Sequence, residues 1–417
     1  MGLLIAAYAS LAAWLWLTFA QGMFWRTDVR LPPRSAPARW PSVAIIVPAR
    51  DEAEVLPLSL PSLLAQDYPG EARIVLVDDG SGDGTAALAA RLADGQPGLP
   101  LTVVSPGDPP PGWTGKLWAV RHGIAHVRTE HTRAHVNGHG HGTGHAQGGP
   151  GGGGEDGPHR PGPEFLLLTD ADIAHEPDSL RELVAAATSA DLDLVSQMAR
   201  LRVVNVWERL VVPAFVYFFA QLYPFRRINR PGARTSAAAG GCVLLRTEAA
   251  VRARIPDSIH QAVIDDVALA GAVRRAGGRI WLGLAERVDS VRPYSGLGDL
   301  WRMVSRSAYA QLRHRPLLLA GTVAGLVLVY LVPPAALGAG LAAGRPAVAW
   351  AGGLAWLLMA GTYLPMLRHY RQSPLLAPLL PLTALLYLLM TVDSAVLHYR
   401  GRGAAWKGRT YARPGDA

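Results

Sequence analysis

One cysteine in 417 residues, Cys242, excludes an intramolecular disulfide and a cysteine-built metal cluster. It reads as a small buried residue. No Gly-x-Gly-x-x-Gly follows the first apolar run at Val43 to Val47, which argues against a dinucleotide-dependent oxidoreductase. No basic helix interleaved with aromatics occurs, so no nucleic-acid partner is expected. The first apolar segment has no basic residue before it and no small-residue cleavage site after it, which favours a retained anchor over a signal peptide. What the chain has in abundance is apolar surface, 50% of its residues, with a net charge of +8.

That apolar content gathers in four stretches: Leu3 to Ala20, Leu317 to Ala343, Ala347 to Leu367 and Leu375 to Leu397. Each approaches the roughly 20 residues needed to cross a bilayer. Arg26, Arg30, Arg34 and Arg39 follow the first of them, and the positive-inside rule then puts the next domain in the cytoplasm of a multi-pass cell-membrane protein. The positive charge fits attraction to anionic lipid. Three further crossings would leave the tail outside, although Arg400, Arg402, Lys407, Arg409 and Arg413 belong inside. One C-terminal segment is therefore a candidate for a re-entrant or interfacial stretch, with Pro333-Pro334 and Pro374, Pro378 and Pro381 as markers.

Between the apolar ends, strand and helix patterns alternate, which predicts an α/β domain with a mainly parallel sheet. Strands are expected at Val43 to Val47, Ile74 to Val77 and Leu101 to Val104, and helices near Val55 to Ala65 and Thr85 to Leu92. The expected organisation is an N-terminal anchor over 1–22, a Pro- and Arg-rich linker over 23–41, the α/β domain over 42–315, a C-terminal membrane region over 316–398 and a basic tail over 399–417. Residues 126–163 interrupt the rhythm with Gly, Pro and His, including His131, His135, His139, His141, His145 and His159. They read as a disordered surface insertion, with metal capture as the rival reading. The aromatic-rich segment 205–225 reads as a helix, interfacial or buried, with the interface favoured by its trailing arginines.

The chemistry concentrates where apolar runs end. Phe165-Leu166-Leu167-Leu168-Thr169 exits into Asp170-Ala171-Asp172, and two carboxylates one residue apart at a strand's exit can hold a divalent cation on a diphosphate. Val43 to Val47 leads to Asp51-Glu52, and Ile74 to Val77 leads to Asp78-Asp79, so three strands deliver carboxylates to one rim, where open α/β sheets bind ligands. Downstream, Gly240-Gly241 would let backbone approach a ligand closely. Asp265-Asp266 stand at a helix start, where capping or dipole roles compete with catalysis.

In order, VPARDE, LVDDGSGDGT, GWTGK, LLTDAD, GG and IDD resemble the family 2 glycosyltransferases, inverting enzymes with a GT-A, Rossmann-like fold, over about residues 42–315. The N-terminal anchor, PPGWTGKLWAV, VNVWERL and the C-terminal apolar segments followed by GRGAAWKGR are similar to the hopanoid-biosynthesis-associated group of that family. The resemblance implies a nucleotide-sugar donor, a UDP-sugar foremost, a divalent Mg2+ or Mn2+, and a lipid acceptor of hopanoid or polyprenyl type. It implies Glu52 and Asp79 on the nucleotide's base and ribose, Asp172 on the metal, Asp170 near the donor ribose or metal, and Lys116 and the Gly240-Gly241 pair near the donor. It also implies Asp266 as general base with Asp265 beside it. The Gln-x-x-Arg-Trp motif of the processive synthases is absent from Trp301 to Leu312, which implies transfer of one sugar. Arg302 and Arg306 there are expected over the diphosphate or on a basic membrane-surface helix. A processive polysaccharide synthase and a non-catalytic nucleotide-binding membrane protein are the alternatives.

Overall fold

The computed structural model describes residues 1–138, 162–401, 405–406 and 409–410. The N-terminal half runs α1 (Gly2–Phe19), β1 (Val43–Ala49), α2 (Leu56–Leu64), β2 (Ala72–Asp78), α3 (Thr85–Ala93), β3 (Leu101–Val104), α4 (Gly115–Gly138), β4 (Phe165–Thr169), β5 (Ile173–His175), α5 (Ser179–Ser189) and β6 (Leu194–Arg200). It continues with α6 (Val206–Leu222), α7 (Phe225–Ile228), β7 (Cys242–Arg246), α8 (Thr247–Arg252), α9 (Asp265–Arg275), β8 (Ile280–Ser290), α10 (Leu297–Ser305) and α11 (Ala308–Gln311). The apolar C-terminal part holds α12 (Pro316–Leu326), α13 (Val332–Ala342), α14 (Pro346–His369) and α15 (Leu380–Tyr399).

Eight strands form one sheet in the order β3-β2-β1-β4-β7-β6-β8-β5. Pairing is parallel from β3 through β4 and between β6 and β8, while β7 runs antiparallel to both β4 and β6, and β5 antiparallel to β8. The sheet is therefore mostly parallel, and its central strands show why. All seven residues of β1 are buried, as a strand covered on both faces requires. Cys242 opens β7 at zero exposure, as a small core residue.

Among the described residues, four helical stretches are long and apolar enough to cross a membrane: Gly2–Phe19, Pro316–Ala342, Pro346–His369 and Pro374–Tyr399. They match the four apolar runs of the sequence to within a few residues. They are tied together by polar side chains that find partners inside the bundle, as apolar surroundings demand. Trp14 Nε1 donates to Val329 O, and the Tyr217 and Thr362 hydroxyls lie 2.8 Å apart. Tyr387 donates to Val211 O at 3.1 Å.

Helix α6 is packed in the interior: Val211, Val212, Ala214, Val216 and Tyr217 are fully buried. Its aromatics meet Phe24, Tyr330, Tyr363 and Tyr387 edge to face, so they glue the sheet domain to the apolar helices. Asn205 starts this helix with a reciprocal cap, its side chain accepting from Trp207 N and Glu208 N while Glu208 accepts from Asn205 N. Helix α4 runs on to Gly138, so the first part of the stretch 126–163 is helical and not loop. His139, His141, His145 and His159 lie outside the described residues, as do Arg402, Lys407 and Arg413 of the tail.

The segment between α1 and β1 is held against the sheet. Leu284 N donates to Val29 O and Trp281 Nε1 to Arg30 O, at 2.9 and 2.8 Å. A Cβ on Gly283 would lie 2.9 Å from Arg30 O, which is why glycine stands there. The arginines of this segment are paired, Arg30 with Glu286 at 3.2 Å and Arg39 with Glu164 at 2.6 Å.

Candidate active site

Parallel register brings the acids together. Ala49 pairs with Asp78 and Ile46 with Leu168, so β1, β2 and β4 end at the same rim. Beyond that rim lies a cleft of about 940 Å³. Glu52, Lys116, Asp170 and Asp172 line it, together with Gly240, Gly241, Asp265 and Asp266. Arg302 of α10 and Arg306 just after it form part of the same wall, beside Phe215, Phe219, Met303 and Leu397. One sequence-derived residue stands apart. Asp79 has no exposure and is not part of the cleft lining; its carboxylate lies 3.5 Å from the Arg50 guanidinium, which also donates to its carbonyl.

Two cations each bridge two carboxylates. Lys116 Nζ sits 2.8 Å from Asp170 and 3.0 Å from Asp265. Burial opposes its charge, but the two acids outweigh it and hold the ammonium well above its ordinary pKa. Asp170 in turn is raised by burial, with Lys116 pulling against it and Asp172 adding to it. The second bridge is Arg292, whose Nε donates to Asp172 and whose Nη2 donates to Glu52, both at 2.7 Å. Sequence reading passes over Arg292. It follows β8 by two residues, and only the antiparallel pairing of Ile173 with Ser290 carries it to the Asp-x-Asp turn. The contact is extended by Val291 N donating to Asp172 O at 2.9 Å.

Asp266 stands in the first turn of α9, where the helix N-terminus favours a carboxylate. Its Oδ2 accepts from Gly240 N at 3.0 Å and its Oδ1 from Val267 N at 2.7 Å. Burial, and then the charge of Asp265, push its carboxyl up to about 7, although Lys116 and the two backbone donors work the other way. A carboxylate with that pKa can take a proton near neutral pH. Gly240 is thus a donor to the candidate base, and Gly241 is a tight spot, where a Cβ would meet Ile173 at 3.1 Å.

Among the described residues, no group of three or more His, Cys, Asp and Glu is arranged to hold a metal by itself. The donor set at the Asp170-Asp172 turn suits a hard cation, because Mg2+-type ions settle for one or two carboxylates and fill their shell with phosphate oxygens and water. The arginine helix α10 is anchored from behind: Trp301 Nε1 donates to Asp393 of α15 at 2.8 Å, while Arg302 pairs with Asp299.

Known proteins resemble this chain in family and in fold. A family model described as "Glycosyltransferase like family 2" matches residues 41–310. An N-acetylglucosaminyltransferase of Rhizobium sp. (strain N33) is 37% identical over 93 residues, which is 20% of this chain and 19% of that protein. The chain thus matches about a fifth of that relative's length. Among solved structures, the mannosyltransferase PcManGT from Pyrobaculum calidifontis, in complex with GDP-Man and Mn2+, aligns with a TM-score of 0.54 at 20% identity, over 95% of this chain and 99% of that one. At that identity the likeness is one of fold. The family match spans more than half of the chain and takes in every strand of the eight-stranded sheet: the protein belongs to the family 2 glycosyltransferases, an enzyme built on a GT-A fold.

Proposed function

We propose that the protein moves one sugar, with inversion, from a nucleotide-sugar donor to a hydroxyl of a lipid acceptor, with Asp266 as the base. The observation that carries this is Asp266 itself, a buried carboxyl pushed up to about 7 at a helix start, in a cleft that it shares with apolar side chains of α6 and α10 and with Leu397 of α15. Asp172, with Asp170, would hold a divalent cation against the donor diphosphate. Such a cation supplies charge neutralisation for the leaving group as the anomeric bond breaks. Lys116 keeps a point charge beside Asp170 and Asp265, close to where sugar and phosphate oxygens would lie. Asp266 receives the proton as the acceptor hydroxyl becomes acidic in the transition state. Gly240 N steadies the carboxylate for that task.

The lipid acceptor, of the hopanoid or polyprenyl type, is supported by the apolar side chains Phe215, Phe219, Met303 and Leu397, which share the cleft with the acids. The missing Gln-x-x-Arg-Trp motif supports transfer of a single sugar. On this reading the sheet domain is cytoplasmic, and the last apolar segment is re-entrant. It leaves α14 at the sheet-domain side, reaches Trp356, whose Nε1 donates to Pro378 O, and returns until Tyr399 meets the Tyr309 hydroxyl at 2.9 Å. Tyr309 precedes α12, where the apolar region begins, so Arg400 stays on the side that the positive-inside rule assigns to it.

A panel of nucleotide sugars with detergent-solubilised protein and Mg2+ or Mn2+, followed by mass spectrometry of added lipid extracts, tests the whole reading. A glycosylated lipid is the expected product. Absence of both binding and turnover with every nucleotide sugar in the panel would refute it.

A further inference from the structure

Arg292 occupies a position that the cation also needs. Its Nε takes an oxygen of Asp172 at 2.7 Å, and its Nη2 holds Glu52 at the same distance. All three side chains are largely covered, with exposures of 29% for Arg292, 15% for Asp172 and 8% for Glu52. Charge-assisted bonds of this kind are strong, and more so when water is kept away. A divalent cation on Asp172 would stand next to a guanidinium on the same carboxylate, and two positive groups repel. Either the cation stays weakly bound or the guanidinium gives up Asp172.

The geometry allows the second course. Arg292 has two partners from different strand ends, so it can release Asp172 and remain tethered through Glu52. The N–H groups set free belong to a side chain that lines the cleft. A nucleoside diphosphate would arrive there with paired oxygens that match the guanidinium fork. We propose that Arg292 is an exchange ligand: without donor it neutralises Asp172 in the cation's stead, and on donor binding it passes to the diphosphate. This rests on the donor and metal reading given above, and it makes cation and donor bind cooperatively. Lys116 lacks the planar fork and binds as a point charge, so the exchange falls to the arginine.

The test is a pair of affinities on the full-length, detergent-solubilised protein: Mn2+ alone, from the spin-resonance signal of free Mn2+, and UDP or GDP at saturating Mn2+, by calorimetry. In Arg292→Gln the two should move in opposite directions. Removing one charge-assisted partner should tighten Mn2+ about tenfold and weaken the nucleoside diphosphate about ten- to hundredfold. Arg292→Lys, which keeps the charge, should shift both in the same senses by less, and it serves if the glutamine variant does not fold. A purely structural arginine would weaken both ligands together, and that result, or Mn2+ affinity unchanged in a folded variant, overturns the exchange. Wild-type protein that binds no nucleoside diphosphate under any metal condition removes the donor reading and the exchange with it. Wild-type binding with an unaltered variant removes the exchange alone.

Discussion

The cleft and the helical layer behind it both bury polar groups, and they satisfy them in different ways. Between the helices, several hydroxyls and indoles have a single neutral partner inside the fold, as Tyr217 has Thr362, Tyr387 has Val211 O and Trp14 has Val329 O. In the cleft the partners are charged and come in threes, one cation between two carboxylates, at Lys116 and again at Arg292. A closed pair has nothing to gain from a visitor. A shared cation can let one acid go and keep the other. At these positions polar burial between the helices is pairwise, and polar burial in the cleft is shared.

The cleft is most sensitive at Asp266. Replacing it with Asn should cut turnover by about 10²- to 10⁴-fold, the usual reach of a positioned base. Binding of a nucleotide sugar, measured by calorimetry, should survive; unchanged turnover would take the base role away from Asp266. The next effect is on pH. Because the base must be ionised, kcat/KM should rise with pH and level off above about 7, where burial and Asp265 have pushed the Asp266 carboxyl. The charged or titratable groups beside it are Asp265, Lys116 from α4 and Tyr223 at the end of α6. Asp265→Asn removes a charge that raises the pKa, so the acid limb should move to lower pH. A limb that stays in place belongs to another group. The smallest effect tests the other region: Tyr217→Phe breaks a closed pair and should cost about 1 kcal/mol of stability, seen as a lower Tm. Donor affinity should not follow it, and a parallel loss would mean that the two regions are not separate.

Much of this was legible in the chain, and the reasons are local. A continuous apolar run that stops at an acid marks both a buried strand and the rim where it ends, so Glu52, Asp170 and Asp172 could be found without a structure. The four apolar helices were set by length and composition alone. Arg292 could not be found in this way, because its meaning comes from the pairing of β5 with β8, a contact across more than a hundred residues. The burial of α6 was hidden for a similar reason. Aromatics with trailing arginines look the same at a headgroup and in a core, and only the partners Tyr330, Tyr363 and Tyr387 decide between them. Asp79 is placed differently from the other acids: a strand end can point its carboxylate inward, here towards Arg50.

Val29 and Arg30, fastened to β8 through Leu284, Trp281 and the bare backbone at Gly283, turn what could be a leash into a bracket. A leash would let the sheet domain bob above a bilayer and sample hydroxyls at many heights. A bracket fixes where Asp266 stands relative to the end of α1. On the lipid-acceptor reading proposed above, that fixed distance would set how far an acceptor's hydroxyl must stand from its apolar body to reach the base.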